Sequence, residues 1–450
     1  MIDKYEITEL RILQLLDSVD KWWTIEEIGS QLLLSKASTQ KYISLLKARI
    51  NEFSVTQIQL KTSPSKGIFL SRSPSFTPQF LYAQILKELL VFSIFNTFFN
   101  RKSIPVLQMA MDNFSSVASI RRKYKDLNYR FMERGFDMTI SKDTLQGNER
   151  QIRWFYSSFY WKVFKGTEWP FPAFPRNLVE DKIKKIQQSF DITFFPEVTE
   201  KMIYWFVVNW SRYRLGYRVN SDVEIKAYCL HHDLFLKFSQ VLSQIFPEYA
   251  HKENSFDREE VEYLFFLVSA LPLLDKNYTF NDQVYQAHKN AKTLIYKTTQ
   301  EWLRLFMHSF GYQPNTQTRC LLEYELLRMH SYSYLFKAKP YFIFEDNEEK
   351  EKRHSQTFKD KLKQIYDTLQ QMFPSTMESK DYLLESYTHL ALSLLDINCF
   401  EKTVRIYLSF SKGSLYEGTA HNKIMARLGN KYNIRFVQDE KDKDIFITDL

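Results

Sequence analysis

Residues 35–50 carry an apolar stripe at helical spacing. Thr39, Ile43, Leu46 and Ile50 recur every three or four positions, which predicts a helix that buries one side. The opposite side carries short or flexible hydrogen-bonding side chains, namely Lys36, Ser38, Gln40, Lys41 and Ser44. Ser35 precedes the stripe, where its hydroxyl can accept a hydrogen bond from an otherwise unpaired amide. A helix of this kind that follows a short helix is typical of helix-turn-helix proteins, where it enters the major groove.

The same pattern returns 81 positions later. Ser116-Val-Ala-Ser-Ile-Arg-Arg-Lys-Tyr resembles Ser35-Lys-Ala-Ser-Thr-Gln-Lys-Tyr-Ile. The predicted buried stripe of the second copy is Ile120, Tyr124, Leu127 and Phe131, and its predicted outer face carries Ser119, Arg121, Arg122 and Lys125. A chance match would have to occur twice, so the repeat favours two DNA-reading helices.

The surrounding segments predict a small helical unit with a hairpin in each copy. In the first copy we expect a helix over 8–17, a second helix opened by a Thr24–Glu27 capping box, and a hairpin of Val55–Leu60 with Gly67–Leu70. In the second copy we expect a long apolar helix over 76–99 and helices over 104–114 and 116–134. Its hairpin would pair Met138–Ile140 with Gln151–Phe155, with Arg150 near the tip.

The rest of the chain is predicted to be helical until a short α/β segment near the end. Three prolines in 164–176 indicate a boundary. The expected helices are 178–190, 197–214, 222–246, 257–271, 281–310, 317–337, 355–373 and 379–398, in two bundles divided near 275–282. The last fifty residues predict strands at 403–409, 434–437 and 444–448 with a helix at 416–431, a β-α-β-β order. The chain ends directly after this last strand, which leaves open a truncation of this domain.

The excess of basic over acidic residues lies in the part of the chain that holds the repeat. Residues 1–165 contain 24 Lys and Arg against 15 Asp and Glu, whereas the remainder contains 37 against 38. A basic excess is what binding to phosphate backbones requires. No apolar run approaches a membrane span, and the three cysteines are far apart. We therefore expect a cytoplasmic protein with no membrane partner, no metal and no cofactor. The nine histidines form no catalytic motif, so no enzyme is indicated.

This order of parts resembles the Mga/AtxA family of virulence and carbohydrate-linked transcriptional regulators of Gram-positive bacteria. Three stretches carry the resemblance most specifically: Ser116–Phe136, Leu326–Lys337 and Val404–Leu450. The resemblance implies a mostly α, multidomain fold. Its expected domains are winged helix-turn-helix domains at 1–72 and 73–165, helical-bundle phosphotransferase-system (PTS) regulation domains at 176–278 and 279–400, and a small IIB-like α/β domain at 402–450.

The resemblance also implies a homodimer that is regulated by a PTS phosphocarrier protein. Among the histidines, only His330 matches a family phosphorylation position, and Arg319 and Arg328 on the same helix are candidates for docking the phosphate. The IIB enzymes carry a cysteine directly after the first strand, where this chain has Ser409-Phe-Ser-Lys-Gly. A serine hydroxyl ionises far less readily than a thiol, so we expect phosphotransfer at this position to be lost.

The function predicted from these observations is a DNA-binding transcriptional regulator without a catalytic role, which acts at promoter regions as an activator. Arg121 and Arg122 are the expected base readers, because arginine pairs bidentately with guanine. The full set of expected DNA contacts is Lys36, Ser38, Gln40, Lys41, Ser44, Lys47, Lys66, Ser119, Arg121, Arg122, Lys123, Lys125 and Arg150. The alternatives are a PTS-regulated RNA-binding antiterminator and a IIB-type phosphotransfer protein.

Overall fold

Helices predominate in the computed structural model of the chain, and the sheets are small. The structure describes residues 4–54, 56–220, 222–246, 258–271, 279–337, 356–395, 403–429 and 432–449. The chain divides into two compact units, Met1–Tyr296 with Tyr324–Asp346, and Lys297–Glu323 with Asn347–Leu450. In the described part of the chain, no helix combines the length and the apolar character needed to span a membrane.

The first 72 residues form three helices and a hairpin, called here the first module. Its elements are α1 (Lys4–Ser18), α2 (Ile25–Leu32), α3 (Lys36–Phe53), β1 (Ile58–Ser63) and β2 (Gly67–Arg72). The predicted capping box opens α2: Thr24 Oγ1 accepts from the Glu27 amide at 3.1 Å, and the Glu27 carboxylate accepts from the Thr24 amide at 2.7 Å. Ser35 caps α3 by accepting from the Ser38 amide at 3.2 Å. Both local predictions are confirmed.

The hairpin of the first module lies three residues later in its first strand than the sequence predicts. The strands pair antiparallel from Ile58 with Arg72 to Ser63 with Gly67, and Val55 lies outside the described residues. Gly67 has a φ of +95°, and a Cβ there would lie 2.2 Å from the Trp23 carbonyl oxygen. The backbones of Trp23 and Ile68 exchange two hydrogen bonds of 2.8 Å. Glycine therefore allows the hairpin to pack closely against the chain that precedes α2.

The second module repeats this plan after two apolar helices. The elements from here to residue 164 are α4 (Gln79–Lys87), α5 (Leu90–Asn100), α6 (Val106–Asp112), α7 (Val117–Glu133), β3 (Met138–Ser141), β4 (Thr144–Gly147) and α8 (Glu149–Phe164). The second module consists of α6, α7, β3 and β4, residues 106–147. The prediction of one helix over 76–99 is wrong, because Leu89 is extended and separates α4 from α5. Buried side chains surround this break, so the apolar pattern gave no sign of it.

The predicted second strand of the second hairpin is also wrong. Residues 151–155 belong to α8, whose first turn is capped by the Asn148 side chain, which accepts from the Arg150 amide at 3.0 Å. Nearly every side chain from Gln151 to Tyr156 is buried, and a short apolar run of this kind does not distinguish a buried strand from a buried helix. The strand that pairs with β3 is instead β4.

Five helices follow the proline-rich segment. They are α9 (Arg176–Phe190), α10 (Pro196–Arg214), α11 (Val223–Leu230), α12 (Phe235–Ile245) and α13 (Arg258–Ser269). Residues 164–176 lie inside the first compact unit, where Phe171 and Phe174 are buried. The single helix predicted over 222–246 is interrupted after Leu230, because the His232 imidazole accepts from the Leu234 amide at 3.2 Å and so turns the chain.

Five further helices lie between residues 279 and 395. They are α14 (Thr279–Ala291), α15 (Leu294–Phe310), α16 (Thr316–Leu335), α17 (Gln356–Met372) and α18 (Lys380–Leu394). The prediction of one helix over 281–310 is wrong: Lys292 has a φ of +51°, and Thr293 Oγ1 then accepts from the Tyr296 amide at 3.1 Å. The outer ends of the predicted helices 355–373 and 379–398 reach residues outside the described ranges.

The end of the chain has the predicted β-α-β-β order. Its elements are β5 (Val404–Ser409), α19 (Ser414–Leu428), β6 (Ile434–Phe436) and β7 (Ile445–Thr448). The strands form a parallel sheet in the order β6-β5-β7. Tyr407 and Phe446 stack on neighbouring strands with ring centroids 5.7 Å apart.

A buried cluster of charged side chains joins α8 to two helices of the following bundle. The Arg153 guanidinium, which has no exposed surface, donates to both Glu260 oxygens at 2.7 and 2.9 Å and to Glu149 at 3.0 Å. Arg212 donates twice to the same Glu149 carboxylate at 2.9 and 2.6 Å. The Asn209 side-chain oxygen accepts from Arg153 at 3.0 Å. Two arginines and two glutamates thus neutralise one another among α8, α10 and α13.

The cluster keeps its charges despite its burial. Burial by itself lowers the pKa of Arg153, but the Glu260 and Glu149 carboxylates outweigh it, so the pKa is raised above its ordinary value. A further acceptor, the Tyr217 carbonyl, lies 3.3 Å from the Arg153 guanidinium, and Glu260 also accepts from the Val219 amide at 2.9 Å. The cluster is therefore hydrogen-bonded on every side that the chain can reach, which a buried charge requires.

We predict that Glu260→Gln lowers the free energy of unfolding by roughly 3–5 kcal/mol, because it leaves the buried Arg153 charge without its bidentate partner. Urea unfolding followed by tryptophan fluorescence measures this change. The matched control is Glu259→Gln, the same change one residue earlier, where the carboxylate forms an exposed pair with Lys226 at 2.7 Å. That control changes stability by at most about 1 kcal/mol. Equal effects of the two variants would contradict a structural role for the buried cluster.

Candidate nucleic-acid interface

The two modules repeat the same backbone hydrogen bonds at the same offset of 81 positions. The Leu34 amide donates to the Gly29 carbonyl at 2.8 Å, and the Ser115 amide donates to the Ala110 carbonyl at 2.9 Å. The Ser116 hydroxyl accepts from the Ser119 amide at 3.1 Å, as Ser35 does in the first copy. Helix, turn and N-cap therefore recur in register, so the sequence repeat corresponds to a repeat in the structure.

The predicted buried stripes of both repeated helices are confirmed. Every residue of the two stripes is buried: Thr39, Ile43, Leu46 and Ile50 in α3, and Ile120, Tyr124, Leu127 and Phe131 in α7. The stripes hold each helix against its own module. The opposite faces are consequently turned towards solvent.

The outer face of α3 exposes most of the residues expected to contact DNA. Lys36, Gln40, Lys41 and Ser44 are exposed, and Ser38 is half-buried. The Ser44 hydroxyl donates to the Gln40 carbonyl oxygen at 3.0 Å. Polar side chains therefore cover the first two turns of the helix.

One of these lysines is already paired with a carboxylate. Lys36 Nζ lies 2.7 Å from Glu26 Oε1 on α2, and both side chains are largely exposed. The hydrogen bond from Lys36 lowers the pKa of Glu26, and the same bond raises the pKa of Lys36. Lys36 therefore has to leave the Glu26 carboxylate before its ammonium can bind a phosphate.

The outer face of α7 is more strongly cationic. Arg121, Arg122 and Lys125 are exposed, and Ser119 is half-buried. Among the residues that the structure describes, Arg121, Arg122 and Lys125 form no ion pair. Lys123 is buried, so this conformation does not present it to a duplex as the sequence led us to expect. Lys123 directly precedes Tyr124 of the buried stripe, and it lies on the buried side of α7.

The first hairpin places cations beside α3. Lys66 is exposed in the turn between β1 and β2, and its ammonium lies 6.0 Å from the centre of the Trp22 ring. Lys47 is half-buried and donates to the Thr62 hydroxyl on β1 at 3.3 Å. Lys66 is thus available at the hairpin tip, whereas Lys47 ties α3 to the hairpin.

The second hairpin differs from its prediction, and so do its tip residues. Its two-residue turn is Lys142-Asp143, and both residues have positive φ values, as tight hairpin turns require. Lys142 is the exposed cation at this tip, which the sequence reasoning missed although Ser-Lys-Asp-Thr has the length of such a turn. Arg150 instead lies in the first turn of α8 and donates to Asp222 at 3.0 Å, so its expected position at the tip is wrong.

Comparison with known proteins agrees with this geometry. Residues 74–160, which contain the whole second module, match the Mga helix-turn-helix domain. The capsule synthesis positive regulator AcpA of Bacillus anthracis is 22% identical over 211 residues, which cover 47% of this chain and 43% of that protein. The second module is therefore similar to the Mga helix-turn-helix domain, and the chain is similar to a positive regulator of capsule synthesis.

Two further relatives of the Mga/AtxA family come from the same organism. The capsule synthesis positive regulator AcpB is 20% identical over 241 residues, covering 54% of this chain and 49% of AcpB. The anthrax toxin expression trans-acting positive regulator is 21% identical over 220 residues, covering 49% of this chain and 45% of that protein. The chain thus spans less than half the length of these curated relatives.

The histidine that resembles a Mga/AtxA-family phosphorylation position is buried. His330, on α16, has no exposed surface, and burial lowers its pKa to about 3. The arginines suggested to dock its phosphate are bonded to carboxylates of their own helix: Arg319 to Glu323 at 3.3 Å and Arg328 to Glu325 at 2.6 Å. A phosphocarrier therefore has no direct access to His330 in this conformation.

The position of the absent IIB cysteine has an acidic neighbour that the sequence did not reveal. The Ser411 hydroxyl donates to Asp449 Oδ2 at 2.6 Å, and the Ser411 amide donates to Asp449 Oδ1 at 2.7 Å. These hydrogen bonds lower the pKa of Asp449. A carboxylate of lowered pKa is a poor base for a serine hydroxyl, so the pair holds the loop in place and does not activate a nucleophile.

We predict that His330 makes the chain less stable as the pH falls below 6.5. An unfolded histidine takes up a proton near pH 6.5, whereas folded His330 stays neutral down to about pH 3. His330 therefore contributes a loss of roughly 1 kcal/mol per pH unit below pH 6.5. Burial also lowers the pKa of His232 to about 4 and that of His288 to about 3, so these two histidines add to the same slope. Urea unfolding between pH 7.5 and about 5 measures the slope.

His330→Gln should make that slope shallower, even if it also lowers stability at every pH. The matched control is His231→Gln, because His231 is exposed. That variant should keep the slope of the parent protein. A His330→Gln variant with an unchanged slope would show that His330 titrates normally in the folded chain.

Proposed function

We propose that this chain is a DNA-binding transcriptional regulator that contacts duplex DNA with both modules. The observation that carries the proposal is the exposed Arg121, Arg122 and Lys125 face of α7, within the segment that matches the Mga helix-turn-helix domain. A helix with a buried stripe and an exposed cationic face, capped by a serine and preceded by a tight turn, is the arrangement by which such domains enter the major groove.

Each exposed side chain suits a particular part of a duplex. Arg121 and Arg122 can donate bidentately to guanine, and Gln40 can pair with adenine in the same manner. Lys41 and Lys125 suit phosphate oxygens, which fix the position of a protein on DNA without reading its sequence. Lys66 and Lys142, at the two hairpin tips, suit the phosphates that flank the groove.

The direction of regulation comes from the relatives. Three of them are named as positive regulators, so we propose that this chain activates transcription at promoter regions. We also propose that it acts as a homodimer and that a PTS phosphocarrier protein tunes its activity through the helical part of the chain. Phosphorylation at His330 then requires α16 to open, because the imidazole is buried.

The two alternatives have less support. A PTS-regulated antiterminator begins with a small β-rich RNA-binding module, whereas the described residues before 165 form eight helices and two short hairpins. A IIB-type phosphotransfer protein needs a reactive nucleophile after β5, where Ser411 is bonded to Asp449. The phosphotransfer alternative also leaves the cationic face of α7 unexplained.

We predict that Arg121→Ala with Arg122→Ala weakens binding to a random-sequence 40-base-pair duplex and lowers the salt dependence of that binding. A random-sequence duplex is bound mainly through its phosphates, and in a plot of log affinity against log salt concentration each lost phosphate contact reduces the slope by about 1. The loss of both arginines should therefore reduce the slope by about 2. Fluorescence anisotropy over a salt series measures both effects.

The matched control removes two exposed lysines of α9, Lys184 and Lys185. Lys184→Ala with Lys185→Ala removes the same charge and should leave the slope within about 0.5 of the parent value. Equal slopes for the two double variants would refute α7 as a DNA-binding helix. Stronger binding to an unlabelled RNA hairpin than to the duplex would favour the antiterminator.

For phosphorylation, we expect a phosphate on His330 after incubation with the general phosphotransferase proteins and phosphoenolpyruvate. Phosphate-affinity electrophoresis should show a shifted band that His330→Ala removes and that His231→Ala keeps. If no shifted band forms, or if His330→Ala keeps it, His330 is a structural histidine.

A further inference from the structure

Two apolar residues occupy equivalent, unusual positions in the two modules. Seven non-glycine residues have positive φ values in the described part of the chain, and five of them are lysine or aspartate. The other two are Leu33, with φ +56°, and Phe114, with φ +48°. They are 81 positions apart, and each lies two residues before the serine that caps α3 or α7.

This backbone conformation is unfavourable for a bulky side chain. Helices commonly end on a left-handed residue, and glycine is the usual choice because it has no Cβ to collide with the backbone. At Leu33 the amide donates to the Gly29 carbonyl, and at Phe114 it donates to the Met111 carbonyl at 3.2 Å. The turn geometry therefore calls for glycine twice, and the chain has a large apolar residue twice.

Both side chains project into solvent. Their exposed fractions are 89% for Leu33 and 102% for Phe114, the highest values among the large apolar residues that the structure describes. Packing within the module therefore does not explain them. Backbone strain without a compensating internal contact is found most often where a ligand is bound.

The nearest functional element is the beginning of the helix that is proposed to enter the groove. In helix-turn-helix proteins the N-terminal residues of that helix contact base edges. Exposed cations follow each apolar residue: Lys36 and Lys41 after Leu33, and Arg121 and Arg122 after Phe114. A polyanion attracted to these cations brings its groove to the apolar side chains. The apolar group that a major groove offers is the C5 methyl of thymine.

We propose that Leu33 and Phe114 are specificity-determining residues that contact thymine methyl groups in the major groove. The inference rests on the proposed function, because it takes duplex DNA as the ligand. It adds a preference for A·T steps next to the bases that the arginines read. Each module has its apolar residue at the same place relative to its turn and its serine cap, because all three are 81 positions apart in the two copies. Both modules should therefore show the same preference.

The test uses two duplexes that differ only in the thymine methyl. A 40-base-pair alternating dA–dT duplex and its dA–dU counterpart are titrated with the full chain, and the ratio of the two affinities is measured. Removing one buried methyl contact weakens binding about fourfold. Because two side chains each make such a contact, we expect the parent protein to prefer dA–dT about sixteenfold. Phe114→Asn and Leu33→Asn should each lower the ratio about fourfold, and the double variant should bring it near one.

Asparagine suits this test because it tolerates the left-handed conformation. The variants should therefore keep the circular dichroism and melting temperature of the parent, and Phe114→Gly and Leu33→Gly provide a second pair with the same tolerance. Effects of uracil on duplex shape cancel when the ratios of parent and variant are compared. The control is Leu107→Gln, which removes another exposed apolar side chain of the second module and should leave the ratio unchanged.

The outcomes separate the inference from the function on which it rests. A parent ratio near one, or an unchanged ratio in both asparagine variants, overturns the thymine contact while duplex binding through Arg121 and Arg122 stands. An altered sedimentation coefficient in Phe114→Asn with an unchanged ratio also overturns it and assigns Phe114 to a protein contact. If the parent protein binds neither duplex, the proposed function fails together with the inference.

Discussion

The buried pairing of Arg153 with Glu260 and Glu149 is the constraint on which the arrangement of the first compact unit depends. A guanidinium removed from water is tolerated only when its donors and its charge are fully matched. Three helices must therefore keep their relative positions: α8, which follows directly after the second hairpin, and α10 and α13 of the bundle. A hydrophobic contact permits sliding, whereas a bidentate ion pair in a low dielectric fixes both distance and direction. The second module is thereby held at a defined angle to the bundle.

The two modules share a backbone plan but differ in their electrostatics. In the first, Glu26 neutralises Lys36 in part. The equivalent position in the second module is Leu107, so its helix meets a duplex with no competing carboxylate at that point. Arg121 and Arg122 are also better suited to bidentate recognition than lysine and glutamine. These differences make the second module the stronger candidate for sequence recognition and the first module the stronger candidate for adjustable, salt-sensitive contacts.

Local chemistry made some parts of this fold predictable, and tertiary packing hid others. The capping box at Thr24, the serine caps and the two stripes depend on residues within one turn of each other, so the sequence displays them directly. The break at Leu89 and the helical state of residues 151–155 depend on partners far along the chain, and apolar residues surround both. In the candidate site, the exposed faces followed from helical spacing. The structure places Lys123 on the buried side of α7. It places Arg150 in the first turn of α8, where it is half-buried and donates to Asp222.

Helix α8 follows the second module directly and is joined to the bundle by the buried charges. This position decides which fragments of the protein can be expected to fold. A fragment that stops at the proline-rich segment keeps Arg153 but removes Asn209, Arg212 and Glu260, so an arginine selected for a dry, matched environment loses most of its acceptors. A fragment that holds both modules accordingly has to extend through α13, to Ser269, if Arg153 is to keep its partners. The buried ion pair, and not the proline-rich segment, sets the limit of such a fragment.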